Sequence, residues 1–341
     1  MKILAINGGS SSVKCRLDDL QHAPSEPAAP LWQAHIDSHE NLESTLRSAP
    51  GPVDAVVHRI VHGGKQRQTT RITPQVREAI AQEAEVAPAH NKFELQSIDV
   101  AQTVFGPDVP QIATFDTSFH ATLEPTAYVY PGPYEWLDQG IRRYGFHGLS
   151  HQYSSRRAAE LLSSDSLRLI VCHLGNGASL CAIRDGKSVD TTMGFTPLEG
   201  LMMGTRSGSV DPAILIYLIR HRGYTADQLD GILNQKSGLL GVSGISGDMR
   251  DILKSEDPRA RLAFDIYAHR LCREIGAMAG VLGGADAIVF TGGVGENCAP
   301  LRDIVEKRFA FLNARILVIQ AEEEWEMARE CYLLLRDVFQ Q

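Results

Sequence analysis

The alternation of apolar and polar positions describes one unit that occurs near the start of each half of the chain. Residues 3–6 form an apolar run, residues 7–12 are Asn, Gly and Ser only, and residues 13–17 alternate apolar and charged side chains. This order predicts a strand, a tight turn and a second strand. Residues 167–184 repeat the order around a glycine-rich turn at 173–179. The repetition predicts an internal duplication, with two similar domains that face each other across a cleft.

Strands and helices alternate in the rest of both halves. Apolar runs predict further strands over residues 31–36, 53–57, 111–115 and 287–290. Helical periodicity predicts helices over residues 41–47, 74–86, 93–105, 211–220, 258–282 and 322–336. Strands that are followed by crossover helices are typical of layered α/β proteins, so we expect an α/β fold.

Charge and cysteine spacing exclude some classes of function. The 341 residues carry a formal net charge of −8, and the six cysteines include no Cys-x-x-Cys pair. An acidic chain is a poor general binder of nucleic acid, because phosphate contacts need a basic surface. The cysteine pattern fits neither a zinc site nor a disulfide framework, so a reducing compartment, the cytoplasm, is expected. No signal-peptide pattern or membrane-spanning apolar run is found, so no membrane partner is expected.

The opening turn has the composition of a phosphate-binding turn. Its glycines let backbone N–H groups approach a ligand, Ser10, Ser11 and Ser12 add hydroxyls, and Lys14 adds a positive charge. An ordinary Gly/Ser hairpin is the alternative, and the turn alone does not decide between them. It is not a Walker A loop, because the G-x-x-x-x-G-K-[ST] order is absent.

Several charged side chains lie at predicted strand ends or in glycine-rich loops. Asp116 ends a predicted strand, where a carboxylate suits Mg²⁺, although a capping or salt-bridging role is the alternative. Arg59 and Arg206 lie among glycines, where a guanidinium can bind carboxylate or phosphoryl oxygens, although each alone reads as a surface arginine. His147 lies in a further turn. Together they predict phosphoryl transfer, which depends on positioning, a metal and cationic stabilisation.

Stretches of the sequence from start to end resemble the motifs of acetate kinases, in the order in which that family has them. The motifs lie at residues 7–14, 58–64, 87–91, 115–120, 144–151, 173–179, 191–208, 237–252 and 290–297. The stretch at 191–208 reads TTMGFTPLEGLMMGTRSG and is long and specific. The resemblance covers nearly the whole chain, so the sequence is similar to the acetate kinase family throughout.

The resemblance implies a fold and an activity. The fold is the duplicated two-domain actin-like ATPase (ribonuclease H-like) fold with mixed sheets, with one domain over residues 1–116 and 325–341 and the second, nucleotide-binding domain over 117–324. The activity is reversible in-line transfer of the γ-phosphoryl group of ATP to acetate or another short-chain acid, with Mg²⁺ and in a homodimer. Two alternatives stay open: a propionate or butyrate kinase, and a nucleotide-binding regulatory relative that has lost catalysis.

Individual residues acquire roles from the same resemblance. Arg59 and Arg206 would hold the carboxylate and the phosphoryl group in flight, His147 and Asn176 would bind phosphoryl oxygens, and Asp116 would serve the metal or orient the arginines. Asn7 and Glu323 would hold the metal. The acid would contact Arg59, Val61, Ala89, His90, Phe146 and Pro197. ATP would contact Ser10, Ser12, Lys14, His173, Leu174, Gly175, Asn176, Gly177, Asp248, Met249, Arg250, Gly293, Val294, Glu296 and Asn297.

The sequence also departs from the family pattern. Ala89 stands where leucine is usual, which leaves more room in the acyl pocket, and each further buried methylene is worth about 0.8 kcal/mol. We therefore expect propionate or a slightly larger acid to be accepted as well as acetate, or better. Ser209 stands where aspartate is usual and Lys92 where proline is usual. The stretches 15–57 and 298–318 are shorter than usual.

Overall fold

The computed structural model describes residues 1–9, 12–23, 26–37, 41–83 and 88–339, with the backbone alone at 88–92 and 337–339. These residues group into two compact units. The first comprises Met1–Ala121, Phe146–Arg157 and Glu322–Gln341, and the second comprises Thr122–Gly145 and Ala158–Ala321. The predicted division placed residues 117–121, 146–157 and 322–324 in the second domain, whereas their contacts group them with the first.

A mixed sheet lies at the centre of the first unit. Its strands in the described residues are β1 (Lys2–Gly8), β2 (Val13–Asp19), β3 (Trp32–Ile36), β4 (Ala55–Ile60), β5 (Thr70–Arg71) and β6 (Gln111–Phe115). They lie in the order β3-β2-β1-β4-β6-β5. Strands β1, β4 and β6 are parallel, whereas β2, β3 and β5 each run antiparallel to a neighbour. The carboxyl ends of the three parallel strands therefore meet at one edge of the sheet.

The sheet of the second unit has the same arrangement. Its strands are β7 (Arg168–Leu174), β8 (Ala178–Arg184), β9 (Lys187–Thr191), β10 (Ala287–Thr291) and β11 (Arg315–Val318), in the order β11-β10-β7-β8-β9. As in the first unit, the opening hairpin and its third strand are antiparallel, and the two later strands run parallel to the first. Five strands of the first described sheet therefore have a counterpart in the second, β5 alone has none, and the duplicated mixed-sheet fold is confirmed.

Helices surround both sheets. In chain order they are α1 (Leu42–Arg47), α2 (Pro74–Gln82), α3 (Pro88–Phe105), α4 (Pro125–Tyr128), α5 (Glu135–Asp138), α6 (Gly148–Leu162), α7 (Pro212–Arg222), α8 (Ala226–Gln235), α9 (Gly238–Ser243), α10 (Met249–Lys254), α11 (Pro258–Leu282), α12 (Gly292–Asn297), α13 (Ala299–Arg308) and α14 (Glu323–Phe339). Short 3-10 helices lie at Ser118–Thr122 and Ala310–Leu312. In the described part of the chain, no helix combines the length and apolar character needed to cross a membrane.

The first unit has three layers, and this layering explains why β1 is apolar along most of its length. Leu4 and Ile6 pack with residues of α1 and α3 on one face of the sheet. Because side chains alternate along a strand, Asn7 points to the opposite face, where it contacts Glu324 of α14. A strand that is covered on both faces reads as a continuous apolar run, and a polar residue at its end is then conspicuous.

Most predicted elements are confirmed, with shifts at their ends. Helix α3 begins at Pro88 instead of residue 93, and α2 ends at Gln82. The rest of the helix predicted over 74–86 includes residues 84–86, which lie outside the described residues. The predicted cap of α7 is confirmed, because Asp211 Oδ1 accepts the Ala213 N–H at 2.9 Å. The sequence did not predict the full extent of α6 or the helices α4, α5, α8, α9, α10, α12 and α13.

Candidate active site

A buried ionic cluster lies at the carboxyl ends of β1, β4 and β6. Arg59 donates two hydrogen bonds to Asp116, from Nε to Oδ1 at 2.9 Å and from Nη2 to Oδ2 at 2.7 Å. Its Nη1 donates to Asn7 Oδ1 at 2.9 Å. Burial acts to lower the pKa of Arg59, but the charges of Asp116 and Glu323 outweigh burial, so that the pKa is raised. Arg59 is therefore a permanently charged and rigidly oriented cation.

The start of α14 adds two carboxylates to this cluster. Asn7 Nδ2 donates to Glu324 Oε1 at 2.6 Å and to Glu323 Oε2 at 3.2 Å. Glu323 Oε2 also lies 3.9 Å from Arg59 Nη1. The structure thus brings together Asn7 and Glu323, which the resemblance assigns to the metal. It adds Glu324, which the sequence motif does not distinguish from its neighbours.

Arg16 of β2 holds the start of α14 against the sheet. Its Nε donates to Asp18 at 2.8 Å and its Nη1 donates to Glu322 at 2.9 Å. Its guanidinium carbon lies 5.7 Å from the ring centroid of Trp325, which is fully buried. Arg16 was not predicted as a site residue. The sequence does contain one indication of its role, because a charged residue stands between the apolar residues Cys15 and Leu17 of a predicted strand.

His147 lies in a left-handed turn that contacts the backbone of Asp116. Its φ is 57°, in the left-handed region that few residues other than Gly adopt, although Asn, Asp and His do so more often than most. The Gly148 N–H donates to the Asp116 carbonyl oxygen at 2.9 Å, and a Cβ at Gly148 would collide with that oxygen. Strained backbone of this kind is concentrated at functional sites. The predicted catalytic residues Asp116 and His147 are therefore neighbours in the first unit.

Two residues with an implied acyl role, Val61 and Phe146, are buried in the first unit. Val61 is buried just after β4, and its N–H donates to Glu94 Oε1 at 2.9 Å. Phe146 is buried beside His62, with ring centroids 5.7 Å apart. The side chains of Ala89 and His90 lie outside the described residues, so their predicted roles stay predictions.

A cavity of about 680 Å³ lies in the second unit. This volume is in the range of small-molecule and cofactor sites. It is lined by Gly175, Asn176, Gly247, Asp248, Met249, Arg250, Leu253, Gly293, Val294, Asn297 and Cys298. Most of these residues were predicted to contact ATP, whereas Gly247, Leu253 and Cys298 were not. The predicted residues His173, Leu174 and Gly177 belong to the same strand and turn but do not line this cavity.

Glycines allow three loops to pack backbone to backbone beside this cavity. The Gly204 N–H donates to the Asn176 carbonyl oxygen at 3.1 Å. A Cβ at Gly204 would overlap the Asn176 side-chain oxygen and lie 2.9 Å from the Gly247 carbonyl oxygen. Any side chain at residue 204 would therefore push these loops apart.

Two carboxylates, those of Glu296 and Asp248, accept hydrogen bonds at or beside the cavity wall. Glu296 does not line the cavity, but its Oε1 accepts the Gly292 N–H at 3.0 Å and the Ala321 N–H at 2.9 Å. Asp248 Oδ1 accepts Nε of Arg250 at 3.0 Å, and hydrogen bonds from Arg250 lower the pKa of Asp248 to about 2. Glu296 therefore orders the glycine-rich loop from outside the cavity.

Arg206 lies in the second unit beside the predicted acyl residue Pro197. Its Nη1 donates to the Pro197 carbonyl oxygen at 3.3 Å. Arg143, which was not predicted, holds the same loop by donating from Nη1 to the carbonyl oxygens of residues 191–193 at 3.0 to 3.1 Å. Its Nη2 donates to Glu199 at 2.8 Å, and Glu199 also accepts the Tyr130 hydroxyl. This clamp fixes the loop that carries Pro197.

Three residues of the opening turn were predicted to contact ATP. Ser10 lies outside the described residues. The Ser12 carbonyl oxygen accepts the Gly9 N–H at 2.8 Å, which closes the turn. Lys14 is exposed on β2, opposite Asn7 in the strand register. Their contacts with ATP stay predictions.

The oxygen atoms of Asn7, Glu323 and Glu324 are suitable ligands for a hard divalent cation. The described residues contain no group of three or more His, Cys, Asp or Glu side chains placed to hold a metal. Mg²⁺ does not require such a group, because it is commonly bound by one or two carboxylates together with water and substrate phosphates. The donor set at this strand edge therefore fits the metal that the sequence implies.

Comparison with known proteins identifies the family. A sequence model of the Acetokinase family matches residues 33–324. The chain belongs to the Acetokinase family. An acetate kinase of Gloeobacter violaceus is 50% identical over 404 aligned positions, which cover 98% of this chain and 100% of the relative. Because the alignment is longer than the 341 residues of this chain, the relative has segments that this chain lacks.

Solved structures of Acetokinase relatives agree with the fold. An acetate kinase of Porphyromonas gingivalis superposes with a TM-score of 0.88 at 34% identity, covering 98% of this chain and 99% of that one. A propionate kinase of Francisella tularensis superposes with a TM-score of 0.85 at 34% identity, covering 96% and 98%. The predicted family, fold class and kinase activity are confirmed, and the alternatives considered from the sequence are not favoured.

Proposed function

We propose that this protein transfers the γ-phosphoryl group of ATP to acetate, reversibly and in line, to give ADP and acetyl phosphate. The observation that carries the proposal is the orientation of Arg59 by Asp116 and Asn7. These bonds use three of the five N–H groups of the guanidinium, and the other two are suited to an incoming carboxylate. Since the cation is fixed before the acid binds, little ordering is required at the moment of reaction.

Acetate and the phosphoryl group are proposed to be recognised by different side chains. Arg59 binds the acid carboxylate, and Val61 and Phe146 contact its methyl group. Arg206 and His147 stabilise the phosphoryl oxygens as charge redistributes during transfer. The clamp of Arg143 on residues 191–193 supports this role by fixing the loop beside Arg206.

ATP is proposed to occupy the cavity of the second unit. The glycine-rich walls at Gly175 and Gly293 allow backbone N–H groups to approach phosphates. The Acetokinase family is ATP-dependent and generally needs a divalent metal. We propose Mg²⁺, with Asn7 and Glu323 as its protein ligands and Glu324 as a further oxygen donor. When bound, the metal supplies positive charge to phosphate oxygens.

A hydroxamate assay with ATP and Mg²⁺ tests this function and its acid preference. Rates are measured over the same range of concentrations of acetate, propionate and butyrate, and kcat/KM is obtained for each acid. We expect acyl phosphate from acetate, and the small side chain of Ala89 predicts at least equal kcat/KM for propionate. A tenfold or greater preference for acetate contradicts the pocket prediction alone. No acyl phosphate from any acid, with ATP binding intact, contradicts the kinase proposal.

We also propose a homodimer that uses the exposed apolar surface of α7. No residue of α7 is buried, and Ile214, Ile216, Tyr217 and Ile219 are each about half exposed. Several large apolar side chains exposed on one helix favour association with a second copy of the chain. Light scattering should give a dimer mass for the wild type, and Ile216→Glu should give a monomer. Leu161→Glu, at an exposed leucine on α6, is the control that should stay dimeric. A monomeric wild type contradicts the proposal.

We propose the cytoplasm as the site of action. All six cysteines are buried free thiols, as a reducing compartment allows.

A further inference from the structure

A buried carboxyl group lies beneath the loop that follows Arg59. Glu94 of α3 is 1% exposed, and its Oε1 accepts the Val61 N–H at 2.9 Å. Its Oε2 has no hydrogen-bond partner among the described residues. Because a buried polar atom without a partner is unfavourable, a carboxyl group at this place requires an explanation.

The hydrogen bond to Val61 replaces one that the sheet no longer provides. The register of β4 with β6 ends at Ile60 opposite Phe115, and the Asp116 N–H donates to Ile60 at 3.0 Å. Val61 therefore leaves the sheet with a buried N–H that needs a new acceptor. Glu94 is that acceptor, so the path of the chain directly after Arg59 depends on a side chain from α3.

The surroundings of Glu94 favour its neutral form. Burial raises its pKa to about 8, although the Val61 N–H and the charge of Arg59 act in the opposite direction, and Asp116 raises it further. Arg59 of β4 and Asp116 after β6 are the charged groups that face it from the sheet. His58 of β4 contacts Ser97 of α3, and burial lowers the pKa of His58 to about 4, so it carries no charge at neutral pH.

We propose that Glu94 is a positioning residue that fixes Val61 and thereby sets the affinity for the short-chain acid. This inference rests on the proposed function, in which Val61 contacts the acyl group and Arg59 binds the carboxylate. While Glu94 is neutral, it holds the Val61 backbone without adding charge. Once ionised, it adds a negative charge near Arg59 that opposes binding of an anionic acid.

Two variants and a control separate this role from a merely structural one. Glu94→Gln keeps an acceptor for Val61 and is neutral at every pH, whereas Glu94→Leu removes the acceptor. Glu78→Gln changes an exposed glutamate on α2 and serves as the control. KM for acetate, KM for ATP and kcat are measured for all four proteins from about pH 6 to pH 9, a range that spans the ionisation of Glu94.

We expect KM for acetate to rise above pH 8 in the wild type and in Glu78→Gln, and to stay level in Glu94→Gln. We expect Glu94→Leu to raise KM for acetate by about tenfold, because a buried N–H loses its acceptor, with KM for ATP unchanged. Wild-type KM for acetate in both Glu94 variants across the range overturns the inference. If Glu94→Leu does not fold, the pH profile of Glu94→Gln decides alone.

Binding of the acid without turnover keeps this inference apart from the proposed function. The rise in Tm caused by acetate is measured without ATP. A wild type that makes no acyl phosphate contradicts the proposed function, and the Tm shift then still tests Glu94. An equal shift in the wild type and in both Glu94 variants at every pH overturns the positioning role.

Discussion

The two units share one sheet arrangement but hold their candidate site residues by different means. In the first unit, charged side chains hold one another, as in the bonds of Arg59 to Asp116 and Asn7. In the second, glycines let the loops at Asn176, Gly204 and Gly247 pack directly through their backbones. The first unit should therefore be sensitive to loss of charge, and the second to addition of a side-chain atom.

Arg206→Ala is the change with the largest expected effect. Arg206 is a charged residue in the second unit, whose cavity loops pack through their backbones. Arg206→Ala should lower kcat by about 1,000-fold or more, because cationic stabilisation of a transferring phosphoryl group is worth that much. Circular dichroism and Tm should match the wild type. A kcat close to the wild-type value means that Arg206 does not stabilise the transition state.

The charge dependence of the first unit is tested by Asp116→Asn. This change leaves Arg59 buried without its carboxylate partner, which should cost about 3 kcal/mol of the free energy of unfolding. Misorientation of Arg59 should lower kcat/KM for acetate by about 100-fold. Asp99→Asn is the matched control, because Asp99 pairs with Arg77 on the exposed surface. Equal effects of the two changes contradict the special role of the buried pair.

Backbone packing in the second unit is tested by Gly204→Ala. The added Cβ must displace Asn176 or Gly247, so KM for ATP should rise by about tenfold, in line with the cost of overpacking. Gly280→Ala on α11 is the control, because a Cβ there meets nothing within 4 Å. It should raise the free energy of unfolding by up to about 1 kcal/mol. An unchanged KM for ATP in Gly204→Ala shows that the loops tolerate separation.

Glu94→Gln should have the smallest effect on turnover near neutral pH, and its main effect is on the pH dependence of stability. The pKa of Glu94 is raised in the folded state from 4.5 to about 8, so between these values the folded protein binds more protons than the unfolded chain. The free energy of unfolding should therefore fall as pH rises through this window. Glu94→Gln does not titrate, so urea denaturation should show its advantage over the wild type growing with pH. A constant difference contradicts the raised pKa.

Site residues at the ends of apolar runs or in glycine-rich loops could be predicted from the sequence. Site residues whose contacts lie far along the chain could not. Asn7 and Asp116 follow apolar runs, and Arg206 lies among glycines. The residues next to each of them in the sequence therefore indicate a candidate site residue. Arg16, Glu94 and Arg143 act through partners far along the chain. The contact of Arg16 with Glu322 spans 306 residues. A single sequence carries no local signal for such a pair.

The fold was predictable for a similar reason. Alternation and glycine turns identify the hairpins β1–β2 and β7–β8 within the sequence itself. The return of Phe146–Arg157 to the first unit has no such marker, because it depends on the packing of Gly148 against the Asp116 backbone. The family motifs predicted the roles of individual residues, whereas the alternation of apolar and polar residues predicted the strands and turns in which they lie.

Helix α14 has a consequence for the order in which the protein is made. It packs on β1, β2, β4 and β6, yet it follows the whole second unit along the chain. On the ribosome, the second unit has all of its residues before the first unit receives α14, whereas domains usually fold in the order of synthesis. Until α14 is synthesised, one face of β1 has no helix packed on it, and Asn7 cannot form its hydrogen bonds to Glu323 and Glu324. Completion of the proposed metal site is therefore a late event of translation.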